Sequence, residues 1–195
     1  MGKRVFPATL TAVCLFSFSA FAASSSVGPI DISATVSSSL SLNVKVVDQA
    51  TNQEVSSLDF GQLKEEKTQS LAQTSFKVLI KVGPGNGSLQ LTQTGTPLTH
   101  EAGSAVIPEG AFAVKPTYDA ADNSGASQPE GSTVGAAGTA VGTRTLYSDP
   151  TGSERVVTLL YTLSGDPSAG AAEVIPAEQK SGAYSGAVQF TVTTV

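Results

Sequence analysis

Side-chain chemistry needs an acid, a base, a nucleophile or a metal ligand, and this chain offers few, with one histidine and one cysteine among 195 residues. His100 lies in the turn-rich run Thr96-Pro97-Leu98-Thr99-His100-Glu101 and reads as an exposed loop residue. A Ser-His-Asp arrangement could use no other histidine, and no serine stands in the G-x-S-x-G context of a strained nucleophile turn. Cys14 falls inside an N-terminal apolar run, so past that run cysteine nucleophiles and Cys/His zinc sites are excluded. Asp119, Asp122 and Asn123 before Gly125 carry the oxygens that Ca²⁺ prefers, but the D-x-[DN]-x-[DN]-G order and a bidentate glutamate are missing. They read as an acidic loop. Gly83, Gly85 and Gly87 match neither a dinucleotide nor a phosphate-loop spacing, and no helical pattern follows them. Asn86-Gly87-Ser88 matches a glycosylation sequon, while Asn-Gly is also what a tight turn prefers. A carboxylate pair for sugar hydrolysis would come together only in the fold. These residues predict no enzyme, no cofactor and no metal.

The segments that would have to hold a site start after residue 22. Lys3 and Arg4, the apolar run 8–21 and the small-x-small triplet Ala20-Phe21-Ala22 form a secretory leader pattern with cleavage before Ala23. Removing residues 1–22 takes away two of the eleven basic residues and none of the sixteen acids, so the net charge moves from −5 to −7 and the lone cysteine goes too. An acidic chain of this kind opposes phosphate backbones and anionic lipid, which excludes nucleic acid as a partner. No second apolar run of about 18 residues is present, so no helical membrane span is expected.

The mature part alternates with a period of two. Ile30, Ile32, Ala34 and Val36 alternate with polar residues, and Leu40, Leu42, Val44 and Val46 repeat the pattern. Further strands are predicted around 55–63, at 76–82, at 88–92 after a glycine hairpin turn, near 104–107 and 111–118, at 143–147, at 155–163 and at 184–194. The charge run 64–67 reads as solvated, with room for a helical turn, and 119–142, built almost wholly from small and polar residues, as a long exposed loop. Charged residues are only 14% of the chain while Gly and Pro number 19 and 10, a composition that favours strands and turns. The fold class is all-β, a sandwich of roughly seven to nine strands.

Three features together resemble a subunit of a bacterial chaperone–usher pilus. They are the leader, the alternating strand directly after it, and the closing run Ser181-Gly182-Ala183-Tyr184-Ser185-Gly186-Ala187-Val188-Gln189-Phe190-Thr191-Val192. Leu58-Asp59-Phe60-Gly61 is similar to the early L-x-F-G strand of several pilin groups. Many pilins carry a disulfide between early strands and the best-known group has a penultimate Tyr; this chain has no mature cysteine and has Thr194 there, so it resembles a cysteine-free branch such as the alternative or common pilus families.

The resemblance implies an immunoglobulin-like sandwich that lacks its last strand and is completed by the N-terminal strand of a neighbour. It divides the chain into a leader (1–22), a donor strand (23–36) and a pilin-like sandwich domain (37–195). Gly28, Ile30, Ile32, Ala34 and Val36 would enter the groove of the next subunit, each buried Ile or Val contributing about 1.5–3 kcal/mol. Tyr184, Val188, Phe190 and Val192 would form the acceptor side, which a chaperone strand fills first. Its implied partners are copies of itself, a periplasmic chaperone and an outer-membrane usher, and its implied destination, after transit through the periplasm, is a surface fibre for adhesion or biofilm formation. Alternation alone leaves a second reading open, in which Ile30–Val36 is the first strand of its own sandwich. The protein is then a self-contained secreted module that binds carbohydrate or protein. The absence of Trp, and only four Phe and four Tyr after residue 22, weigh against glycans.

Overall fold

The computed structural model describes residues 9–22, 28–37, 41–66, 69–71, 74–85, 87–103, 105–163 and 173–194; for 9–22, 28–37, 64–66 and 69–71 this covers the backbone and not the side chains. The strands in chain order are β1 (Thr9–Ala22), β2 (Gly28–Ser37), β3 (Leu42–Asp48), β4 (Glu54–Val55), β5 (Asp59–Gln62), β6 (Lys64–Glu66), β7 (Gln69–Leu71), β8 (Phe76–Val82), β9 (Leu89–Gly95), β10 (Thr99–His100), β11 (Phe112–Thr117), β12 (Thr133–Val134), β13 (Gly138–Thr139), β14 (Gly142–Asp149), β15 (Arg155–Leu163), β16 (Ile175–Pro176), β17 (Gly182–Ser185) and β18 (Val188–Thr194). Apart from one 3₁₀ turn at Glu109–Ala111, regular structure among the described residues is all β.

The period-two pattern acts by giving each strand one apolar face. In β8 the side chains of Phe76, Val78, Ile80 and Val82 are buried, and in β9 those of Leu89 and Leu91. Such faces must meet another apolar face, and here they close on one another. One sheet runs β13-β11-β15-β8-β3-β4; the other runs β10-β17-β1-β2-β18-β9-β14-β12, with β5 beside β1. Their inward residues share one core, which includes Val78, Ile80, Phe112 and Leu159 from the first sheet and Leu91, Leu146, Val188 and Phe190 from the second. Phe60 fills the middle, edge-on to Phe76 at 5.1 Å and to Phe112 at 6.3 Å between ring centroids. A small third sheet, β16-β7-β6, lies outside the two.

Four expectations change. The glycine turn after β8 does not make a hairpin, because β8 belongs to one sheet and β9 to the other. Both strands need their apolar side inward, and the connecting segment crosses between the layers: Gly83 donates to Ser41 O at 3.2 Å and Gly85 to Gly152 O at 2.8 Å, so the turn binds other loops and not its own strands. Gly83 has φ +91°, a value an L side chain rarely adopts. Asn86 lies outside the described residues.

The charge run contributes β6, paired with β7 from Lys64↔Leu71 to Glu66↔Gln69, where a solvated turn was expected. The stretch 119–142 is not one open loop. It holds β12 and β13, and Asn123 is sewn onto β15 like a neighbouring strand residue, accepting from Val156 N at 2.8 Å and donating to Val156 O at 2.9 Å. Arg144 ties its far end by donating to Thr139 O at 2.7 Å and to Ala136 O. Finally, the closing strand is broken at Gly186-Ala187, which separates β17 from β18.

Candidate functional site

The site predicted from the sequence is the flank of β18. On one side β18 pairs antiparallel with β9 along its whole length, from Val188↔Gly95 to Thr194↔Leu89. Val188, Phe190 and Val192 are all buried, within 1% of complete, and stand in the sandwich core and not on an open surface. Beneath them lies a polar bridge between the sheets. Gln93, opposite Phe190 and fully buried, accepts from Tyr161 Oη and donates to Ala140 O at 2.7 Å. Burial pushes the Tyr161 hydroxyl well above the usual tyrosine range, which keeps it a neutral donor. Gln93 was missed in the sequence because a buried Gln is uncommon, although it shares the parity of Leu89 and Leu91.

On its other side β18 meets β2, the predicted donor strand of the same chain, in parallel: Phe190 is opposite Ala34, Thr191 opposite Thr35 and Val192 opposite Val36. Gly28, Ile30 and Ile32 lie on the earlier part of β2, which pairs with β1 at Phe18, Phe16 and Cys14. Residues 23–27 and the side chains of the donor strand lie outside the description. The segment expected to be a leader is thus, from Thr9 to Ala22, a strand that runs antiparallel along β2 and reaches β17 and β5.

Tyr184 is not on β18. It occupies β17, paired with His100 of β10, and its buried ring meets the His100 ring edge-on at 5.1 Å. Tyr184 Oη donates to Lys180 O, four residues upstream, at 2.7 Å and accepts from Gln179 Nε2 at 2.8 Å. Burial raises its pKa, and the Gln179 bond works against that rise. This closed loop stands immediately before the chain enters β18. Thr96 completes the entry, donating its N–H to Ala187 O at 2.8 Å and accepting from Ala187 N at 2.7 Å.

His100 is 5% exposed, not a surface loop residue. Its Nδ1 accepts from Ala102 N at 3.0 Å, which leaves Nε2, 3.0 Å from Ser181 O, as the donor. Both ring nitrogens are therefore committed to the backbone, an arrangement of a structural histidine. Gly182 passes beneath the ring so closely that a Cβ there would be 2.1 Å from Nε2.

The acidic turn is likewise occupied by its own contacts. Asp119 accepts from Ala121 N at 2.9 Å, and Asp122 accepts from Thr158 Oγ1 at 2.7 Å and pairs with Lys77 at 3.0 Å. Burial opposes ionisation of Asp122, but the Thr158 and Lys77 hydrogen bonds and the lysine charge prevail and hold its pKa below the usual value. Among the described residues no three His, Cys, Asp or Glu side chains group as a metal site, and no helix is long and apolar enough to cross a membrane. Comparison with protein-family models, with curated proteins and with solved structures finds no match for this chain.

Proposed function

We propose that this protein is a structural subunit that polymerises by strand donation into a surface fibre for adhesion or biofilm formation, and that it is not an enzyme. One observation carries the reading: β18 has an edge over a buried apolar face, and what pairs with that edge, from Phe190 to Val192, is β2, the segment a neighbour would supply. The sheet orders support an immunoglobulin-like frame. β11-β15-β8-β3 forms one layer and β14-β9-β18 the other, with β2 in the place beside β18 that a neighbour's strand would take. The Tyr184 bond to a carbonyl four residues upstream resembles the tyrosine corner of such sandwiches. Head-to-tail donation is a heterologous contact that does not close, as a filament requires. A chaperone strand at the same edge would guard the subunit during export, and an usher would pass it outward.

The parallel seating of β2 in its own chain favours the second reading, a self-contained secreted binding module whose first strand never leaves. The two are parted by expressing the full chain with and without residues 23–36 in an exporting bacterial host. Strand donation predicts SDS-resistant multimers from the full chain. It also predicts an assembly-dead deletion variant that regains a stable fold when residues 23–36 are appended after Val195. A full chain that stays a monomer at every concentration would establish the module instead.

A further inference from the structure

The two outer faces of the sandwich differ in charge. On the β11-β15-β8-β3 layer the residues between core positions include Lys115, Lys77, Lys81 and Lys45, the last three in ion pairs with Asp122, Glu154 and Glu54. On the β14-β9-β18 layer the outward residues carry no charge. Thr145, Thr92 and Thr191 stand in one row across the three strands, and Thr143, Thr94 and Gln189 in the next. Ser148, Gln90 and Thr193 make the last row. Each is exposed or half-buried, and Thr94, Thr143 and Thr145 are exposed.

Such a face fits a second copy of this chain. Past residue 22 the net charge is −7, so two copies repel wherever charged surfaces approach. A two-fold contact sets a patch against itself, so a patch of lysines would face lysines. A hydroxyl or a carboxamide both donates and accepts, and therefore meets its like without conflict. The surface already holds one bond of this kind: Thr94 Oγ1 and Thr143 Oγ1 are 3.0 Å apart, and either can be the donor.

We infer, on the reading given under Proposed function, that the outer face of β14-β9-β18 is a lateral contact by which fibres of this protein bundle side by side. Each copy's face is seated on the same face of a copy in the neighbouring fibre. The contact uses a sheet face, and strand donation uses a sheet edge, so the two coexist in one subunit. Three strands about 4.8 Å apart and three rows about 6.8 Å apart make a face on the order of 300 Å². A stable pair of free subunits buries about 800 Å² on each partner, so a single contact does not hold two monomers together. In a fibre the face recurs at every subunit, and many weak contacts act as one.

The test uses the full chain, exported and assembled into fibres, read by negative-stain microscopy and by the fraction that sediments at low speed. Wild-type fibres bundle. Thr94→Glu with Thr145→Glu sets like charges against one another and lowers the bundled fraction at least about tenfold. Lys115→Glu makes the same change in net charge on the other layer and leaves the bundles in place. Fibres of Thr94→Lys with Thr145→Lys also lie singly, and mixing them with the glutamate fibres restores bundles, which a misfolded face could not do. Bundling that survives both double variants, is lost equally with Lys115→Glu, or fails to return in the mixture overturns the inference. Wild-type fibres that lie singly refute the lateral contact alone, while a wild type with no fibres refutes the proposed function and this contact with it.

Discussion

Both sheets end in two-residue strands, β10 and β12 in one and β4 and β13 in the other, but they differ in that only one of them takes in the N-terminal strand β2. The β3 sheet stops at both sides in two-residue strands, β4 and β13. The first is crossed by the Lys45–Glu54 ion pair at 2.9 Å and the second is tied down by Arg144. Short, charged, tied edges give another chain little to pair with. The β18 sheet has a seven-residue strand with buried Val188, Phe190 and Val192 whose flank away from β9 is paired with β2 from Phe190 to Val192. One layer is built without β2 and in the other β18 has β2 as its neighbour, and under the proposed reading that contrast is what recommends an assembling subunit.

Removing the apolar payload of the dependent flank should have the largest effect. Phe190→Ala is expected to cost about 3–5 kcal/mol by emptying the core next to Gln93, measured by urea unfolding. A loss below about 1 kcal/mol would mean that β18 is not part of the sandwich core. Next comes the entry to that flank. Gly182→Ala places a Cβ against His100 Nε2 at a backbone φ of +141° and should cost about 1–3 kcal/mol for strain alone, with a changed His100 ring environment by NMR. Tyr184→Phe keeps the ring and deletes the hydrogen bonds to Lys180 O and Gln179, an expected loss of about 0.5–1.5 kcal/mol.

The layer built without β2 should respond more weakly, and through charge. The Asp122 pKa is depressed in the folded protein, so its contribution is present above the unfolded value of about 3.9 and is lost as pH falls through the lower folded value. Melting temperature should therefore drop in acid below about pH 4, and Asp122→Asn should flatten that part of the profile. The smallest effect is expected at the β4 edge. A double-mutant cycle on Lys45 and Glu54, both side chains at least half exposed, should give well under about 1 kcal/mol and vanish in high salt.

Much of this architecture was legible in the residues. The alternation at 76–82 and 188–194 named strands and their inward sides, because a period of two leaves no other way to bury every second apolar residue, and the near-continuous apolar run at 155–163 named a strand buried on both faces or nearly so. That Val188, Phe190 and Val192 share one face followed from the same rule, while their acceptor role came from the resemblance alone. Tyr184 did not, since a break at Gly186-Ala187 has no periodic signal and shifts Tyr184 onto a strand of its own. His100 was read as exposed because its neighbours are polar and turn-forming, yet its ring is enclosed by Tyr184 and Gly182, more than eighty residues away.

Alternation by itself determined that the chain is all-β and which face of each strand is apolar, since those depend only on the order of side chains along an extended backbone. Which strand pairs with which was decided by the tertiary structure, because every backbone offers the same N–H and C=O groups and carries no address. Thus β8 and β9, joined by a turn rich in glycine, belong to different sheets, and the polar run 64–66 became a strand. The direction of β2 was decided in the same way: its apolar pattern reads the same in either sense, and only the structure seats it parallel to β18.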